Sequence, residues 1–216
     1  MALTLVIGNK AYSSWSLRPW LAMRQLGLEF NEVVIPMHRP ETKAAMLAHS
    51  PAGKVPVLKD GDITVWETLA ILEYLNEAHA GGALWPADRA ARAEARAIAN
   101  EMHAGFGALR NHLPMNVRRT VAPLALTEGA AADIARIDAM WCGARARWGR
   151  GGPFLFGTFC AADAMYAPVV NRIHHYAVPV SQAARAYVDA MRDLPAMQRW
   201  NAEAAAESWV IEDEEK

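Results

Sequence analysis

The chain has 216 residues, 22 basic and 23 acidic, and its formal net charge of -1 gives no electrostatic case for nucleic acid or an anionic membrane surface. It is 53% hydrophobic and 21% charged, with neither an apolar run long enough to span a bilayer nor a basic flank leading into one, so a globular cytoplasmic protein is expected. Cys142 and Cys160 are its only cysteines and do not form a CxxC pair, which disfavours a disulfide scaffold and a structural zinc site.

Leu3 to Ile7 is an apolar run that predicts a first strand. A helix follows from about Ser16 to Leu26. Pro19 is tolerated best in a first turn, so it argues for a start near Ser16, with Ser16 as the N-cap. Phe30 to Ile35 predicts a second strand and residues 41 to 48 a short helix. Val55-Pro56-Val57-Leu58 and Ile63-Thr64-Val65 are strands joined by an Asp-Gly turn, and Glu67 opens a helix to about His79. The order β-α-β-α-β-β-α makes a small α/β domain of residues 1 to 80, ended by Ala80-Gly81-Gly82. Residues 87 to 216 read as helix throughout. Segments are expected from Ala87 to about Leu113, 133 to 149, Ala161 to Tyr176, Ser181 to Met191 and Pro195 to Glu207, and the acidic tail is expected to be solvated.

Three short stretches carry chemistry. Ser13 and Ser14 lie beside the first helix start, where free N–H groups and the helix dipole favour an anion. Pro56 at a strand start gives up a ladder donor; if its bond to Val55 is cis, the Val55 backbone can pair with an extended peptide ligand. At Val65-Trp66-Glu67-Thr68 a strand meets a helix. There the N–H groups and the Thr68 hydroxyl can hold a carboxylate while Glu67 holds an ammonium. Each stretch taken singly is better read as ordinary capping and turn chemistry.

Taken together, and followed by an all-helical part, the three stretches resemble the cytosolic glutathione transferases over nearly the whole chain. Tyr12-Ser13-Ser14-Trp15-Ser16-Leu17-Arg18 looks closest to the serine motif of the zeta class, which includes the maleylacetoacetate isomerases. The resemblance implies a thioredoxin-like N-terminal domain, glutathione as co-substrate, no metal, and a two-fold homodimer. It implies that Ser14 stabilises the glutathione thiolate, with Ser13 the competing candidate. Val55, beside a cis Pro56, would pair with the cysteinyl part and Lys54 would lie near the glycyl end. Glu67 and Thr68 would hold the γ-glutamyl end. Trp15 stands where the zeta class has cysteine, which counts against isomerase identity, and Cys160 replaces the Ser or Thr of the family's second-domain capping box, where Asp163 is read as structural.

For the electrophile, Trp15, Met102, His103, Phe106 and Arg110 are the candidates, the last four at three- and four-residue spacing that would share one helix face. Apolar side chains with a cation among them suit a small hydrophobic acceptor carrying an anionic or electron-withdrawing group. His174-His175 are adjacent helical residues that point apart, so no metal is expected there. The activity expected is glutathione conjugation; a glutathione-dependent cis-trans isomerase and a non-catalytic binding module are the alternatives.

Overall fold

The computed structural model describes residues 2–216. β1 (Leu3–Ile7), α1 (Ser14–Gln25), β2 (Phe30–Val34), α2 (Thr42–Leu47), β3 (Val57–Asp60), β4 (Ile63–Trp66) and α3 (Thr68–Ala78) occur in the expected order. The sheet runs β2-β1-β3-β4, with β1 and β2 parallel and the remaining pairs antiparallel. Gly61, at φ 57, makes the turn between β3 and β4. Beyond it lie α4 (Arg89–Ala104), α5 (Gly107–His112), α6 (Glu128–Trp148), α7 (Ala161–His175), α8 (Gln182–Arg192) and α9 (Pro195–Ala205), then a single 3-10 turn at Glu212–Glu214. One hydrophobic core joins both parts: Leu5, Trp20 and Leu21 belong to the same buried cluster as Tyr166, Tyr187 and Trp200.

The first helix starts two residues earlier than expected. Ser13 is its N-cap, accepting from the Ser16 N–H at 3.4 Å, while the Ser16 hydroxyl pairs with Ser13 Oγ at 2.7 Å and accepts from Gly8 N–H at 3.0 Å. Pro19 is thus inside the helix, where it cannot donate to the carbonyl of Trp15 four residues back. The Thr68 hydroxyl donates to that carbonyl instead, at 3.3 Å. This bond removes the orphan acceptor that placed Pro19 in a first turn on sequence grounds.

Two other expectations are corrected. The long helix to Leu113 breaks at Gly105 and Phe106, where Phe106 takes a left-handed φ of 57 and α5 starts in a new direction. The helix expected from residue 133 begins at Glu128, because Thr127 caps it by accepting from Ala130 N–H at 3.3 Å. Nor is the C-terminal tail simply solvated. Arg118 holds the carbonyls of Glu207 and Trp209 at 2.7 and 2.9 Å, Tyr12 donates to Glu215, and Lys216 Nζ donates to Asn111 O at 2.9 Å.

The loop leading into α1 is fixed from the far end of the chain. Lys10 is buried between the carboxylates of Glu32 and Glu203 and lies over the rings of Trp20 and Trp200. Glu207 accepts from the Lys10 and Ala11 N–H groups at 2.7 and 3.0 Å. A buried cation with two carboxylates and two indole faces holds residues 9–13, and so the start of α1, in one position.

Asp163 is fully buried and accepts from the N–H groups of Leu155 at 3.1 Å and Cys160 at 2.9 Å. Asp163→Ala leaves two buried donors unpaired, a cost of roughly 2–5 kcal/mol. Burial pushes the Asp163 carboxyl up from 3.8 to about 6. A raised acid pKa means that the folded state binds the proton more tightly, so this residue's contribution is largest at low pH and declines as pH rises through 6. Denaturant unfolding should therefore show a larger gap between wild type and Asp163→Ala at pH 4.5 than at pH 7.5. A larger gap at pH 7.5 would mean that the two hydrogen bonds outweigh burial.

Candidate active site

Two adjoining cavities meet at Trp15. The first, about 200 Å³, lies between the turn before β3 and the start of α3 and is lined by Trp15, Ala52, Lys54, Val55, Pro56, Trp66, Glu67, Thr68 and His103. The second, about 250 Å³, lies between the start of α1 and the helical part; Tyr12, Ser13, Ser14, Trp15, Arg18, Met37, His38, Arg110, Arg172 and Glu214 line it.

The first cavity gathers the five residues expected to bind glutathione, together with Trp15 and His103. Val55–Pro56 is a cis peptide, and Val55 precedes the ladder that begins at Val57. Glu67 has φ 68 and ψ 128, an unfavourable conformation for a residue with a Cβ, and its side chain makes no capping bond to α3. The first N–H groups of α3 therefore have no side-chain cap and sit beside an exposed carboxylate, an arrangement that suits a group carrying both a carboxylate and an ammonium. The Thr68 hydroxyl, expected to face the ligand, is the one that donates to Trp15 O. Thr68 thus offers its backbone to the cavity while its side chain joins α3 to α1.

Ser13 and Ser14 differ in what their hydroxyls do. Ser13 Oγ is committed to Ser16, whereas the Ser14 hydroxyl has no hydrogen-bond partner among the described residues and borders the second cavity. Ser14 is the first residue of α1, so it stands beside that helix's free N–H groups.

Trp15 separates the cavities and is held on two sides by cations. The guanidinium carbon of Arg18 lies 4.1 Å from its ring centroid, that of Arg110 lies 5.3 Å away, and His103 meets its edge at 5.3 Å. Of the other electrophile candidates, Arg110 borders the second cavity and His103 the first. Met102 and Phe106 are core residues and line neither cavity. Met102 is on the buried face of α4, and the break at Gly105 takes Phe106 and Arg110 off that helix.

The second cavity is cationic. Arg18 is fully buried, its Nε donates to Met165 O at 3.0 Å, and its Nη1 has no partner among the described residues. Arg110 Nη1 is likewise buried and unpartnered. Arg172 donates to Leu113 O at 2.6 Å and Pro168 O at 3.3 Å. Burial, with Arg172 and Arg110 nearby, holds the Arg18 guanidinium well below its ordinary range, and burial brings Arg172 down to about 10. Carbonyls satisfy part of these groups, but the only carboxylate lining the cavity is Glu214. An acid ligand would offer the missing acceptors.

Sequence reasoning passed over Arg18, Arg172, His38 and Glu214. Arg18 was legible once α1 began at Ser14, because it is then one turn further along the same face. Arg172 carried a signal too, as a charged residue in a helix buried from Ala161 to Ile173. Glu214 is placed by tertiary contacts of the tail and gave none.

A family profile described as "Glutathione S-transferase, N-terminal domain" matches residues 12–78. The chain is 37% identical over 99 residues, 45% of each chain, to a "Probable maleylacetoacetate isomerase" of Caenorhabditis elegans. It is 32% identical over 139 residues to a "Maleylpyruvate isomerase" of Ralstonia sp, covering 62% of this chain and 61% of that one. The chain thus spans less than two thirds of the length of these curated relatives. Among solved structures, a glutathione transferase homolog from Burkholderia with bound glutathione superimposes at a TM-score of 0.70 with 24% identity, covering 96% of this chain and 100% of that one. The matched N-terminal segment and these relatives agree with the motifs read from the residues: residues 12–78 carry the glutathione S-transferase N-terminal domain, and the chain as a whole shares its fold with the solved glutathione transferase homolog.

Proposed function

We propose that the protein is a serine-type glutathione transferase that binds glutathione in the first cavity and directs its sulfur across Trp15 toward an electrophile in the second. The observation that carries this reading is that the two cavities share Trp15 at the start of α1, next to Ser14, whose hydroxyl borders the second cavity without a partner among the described residues. Glu67 and the α3 N–H groups take the γ-glutamyl end, Val55 pairs with the cysteinyl backbone, and Lys54 serves the glycyl carboxylate. A free thiol of pKa ~8.5 is only slightly ionised at neutral pH. The Ser14 hydroxyl and the α1 N-terminus supply donors that favour the thiolate.

The cationic second cavity favours an acceptor with an acid group over a purely hydrophobic one. It also supports a second reading, isomerisation of a cis-unsaturated diacid, in which the thiolate adds to the double bond, the resulting single bond rotates, and the sulfur leaves again. Similarity to proteins named maleylacetoacetate and maleylpyruvate isomerases agrees with it. Trp15 in place of the zeta-class cysteine counts against this second reading, although in it glutathione supplies the reacting sulfur. We further propose a homodimer formed through the edge that carries Ile63 and Trp66, which are 49% and 42% exposed.

Four outcomes test these proposals. Ser14→Ala should raise the pKa of bound glutathione, read from thiolate absorbance against pH, and slow turnover about ten- to a hundredfold, the loss of one hydrogen bond to a charged group. Ser13→Ala should instead destabilise the fold by about 1 kcal/mol through loss of the cap, with the thiolate titration unchanged. Glu67→Gln should weaken glutathione binding in calorimetry by about tenfold, more than an exposed ion pair contributes; unchanged binding would remove Glu67 from the site. Sedimentation at micromolar concentration should report a dimer, and Trp66→Glu should shift it toward monomer.

A further inference from the structure

We propose that Glu214 is a built-in competitor of the acid subsite: its carboxylate occupies the mouth of the arginine cavity as an internal counter-ion and sets the affinity with which a small dicarboxylate enters. This rests on the acid reading of the second cavity.

Four observations carry it. The cavity holds Arg18, Arg110 and Arg172, and Glu214 is the one carboxylate among its lining residues. Glu214 is half-buried there, whereas its neighbours Glu212, Asp213 and Glu215 are exposed. Its carboxylate has no hydrogen-bond partner among the described residues; it senses Arg172, His38 and Lys216 through space, while burial raises its pKa. Finally, the Nη1 atoms of both Arg18 and Arg110 stay buried and unpartnered, so Glu214 balances charge without filling the donors.

An ion held by charge alone loses no directed bonds when it is displaced, and a ligand carboxylate that reaches Nη1 of Arg18 or Arg110 gains them. The tail keeps Glu214 in place by contacts that do not involve it. Ile211 is buried, Trp209 O is held by Arg118, Glu215 accepts from Tyr12, and Lys216 reaches Asn111 O. A neutral ligand gains nothing by displacing this carboxylate, so Glu214 makes the cavity selective for molecules charged enough to replace it.

The test is calorimetric titration of succinate, a dicarboxylate inert to thiols, into the full chain at low salt without glutathione. Glu214→Gln keeps the side-chain shape and removes the charge, and Glu212→Gln removes the same charge from an exposed position of the same tail. Succinate should bind Glu214→Gln roughly tenfold or more tightly than wild type, as expected for relief of a close, partly buried like charge. Glu212→Gln should stay within about twofold of wild type, and Arg110→Gln should weaken binding. Equal affinity in the Glu214→Gln and Glu212→Gln variants would overturn the proposal, and if Arg110→Gln still weakens binding, the acid reading stands without it. Weaker binding to Glu214→Gln would also overturn it, because Glu214 would then hold the ligand. No succinate binding to any variant would overturn both.

Discussion

Pro19 lies in the second turn of α1 with no N–H for the carbonyl of Trp15, and the Thr68 hydroxyl at the start of α3 donates in its place. Much of the site's geometry depends on this substitution of one donor for another. It ties together two helix N-termini that come from distant parts of the chain, one capped by Ser13 and the other without a side-chain cap. The same helix is held to α7 by Arg18, whose Nε donates to Met165 O. With α1 held at these two anchors, Ser14 borders the second cavity and Trp15, which lines both, is the wall between them. From the other side, buried Lys10 and Glu207 fix the loop that delivers Ser13 to its capping position.

Electrostatically the two cavities divide the work. The first presents an exposed carboxylate beside N–H groups without a side-chain cap, a pattern that suits a zwitterionic end. The second gathers three guanidiniums, two of them nearly or fully buried, and satisfies them only in part through backbone carbonyls. Placing like charges together out of water is unfavourable. Stability alone gives no reason for such a cluster, whereas binding an anion does. Trp15 also fits this division: its ring lies against Arg18 and Arg110, so the wall that separates the cavities also orders the cations of the second.

The order of the first seven elements was legible because each is short, periodic and closed by Gly, Pro or an Asp-Gly turn. The start of α1 was not. Proline rules treat a helix as an isolated object, and here the acceptor left over by Pro19 is met by a residue about fifty positions away. That two-residue shift matters, because it assigns Ser13 to capping and leaves the Ser14 hydroxyl free. The five glutathione candidates came together around one cavity because each sat in a local motif with its own geometric reason. Met102 and Phe106 are core, the alternative that helical spacing left open, and the shared face did not extend to Phe106 and Arg110 because the helix breaks at Gly105. Glu214 could not be found from spacing at all, since an acidic tail looks the same in sequence whether it floats or docks.

The central claim is that glutathione lies in the first cavity with its sulfur at Ser14. A crystal structure of the protein with glutathione tests it most directly. The account predicts the γ-glutamyl group at Glu67 and the Thr68 N–H, the cysteinyl backbone paired with Val55, and the sulfur within hydrogen-bonding reach of Ser14 Oγ, about 3–3.5 Å for a sulfur acceptor. A sulfur bound by Ser13 with Ser14 turned away, or glutathione seated in the arginine cavity, would contradict it.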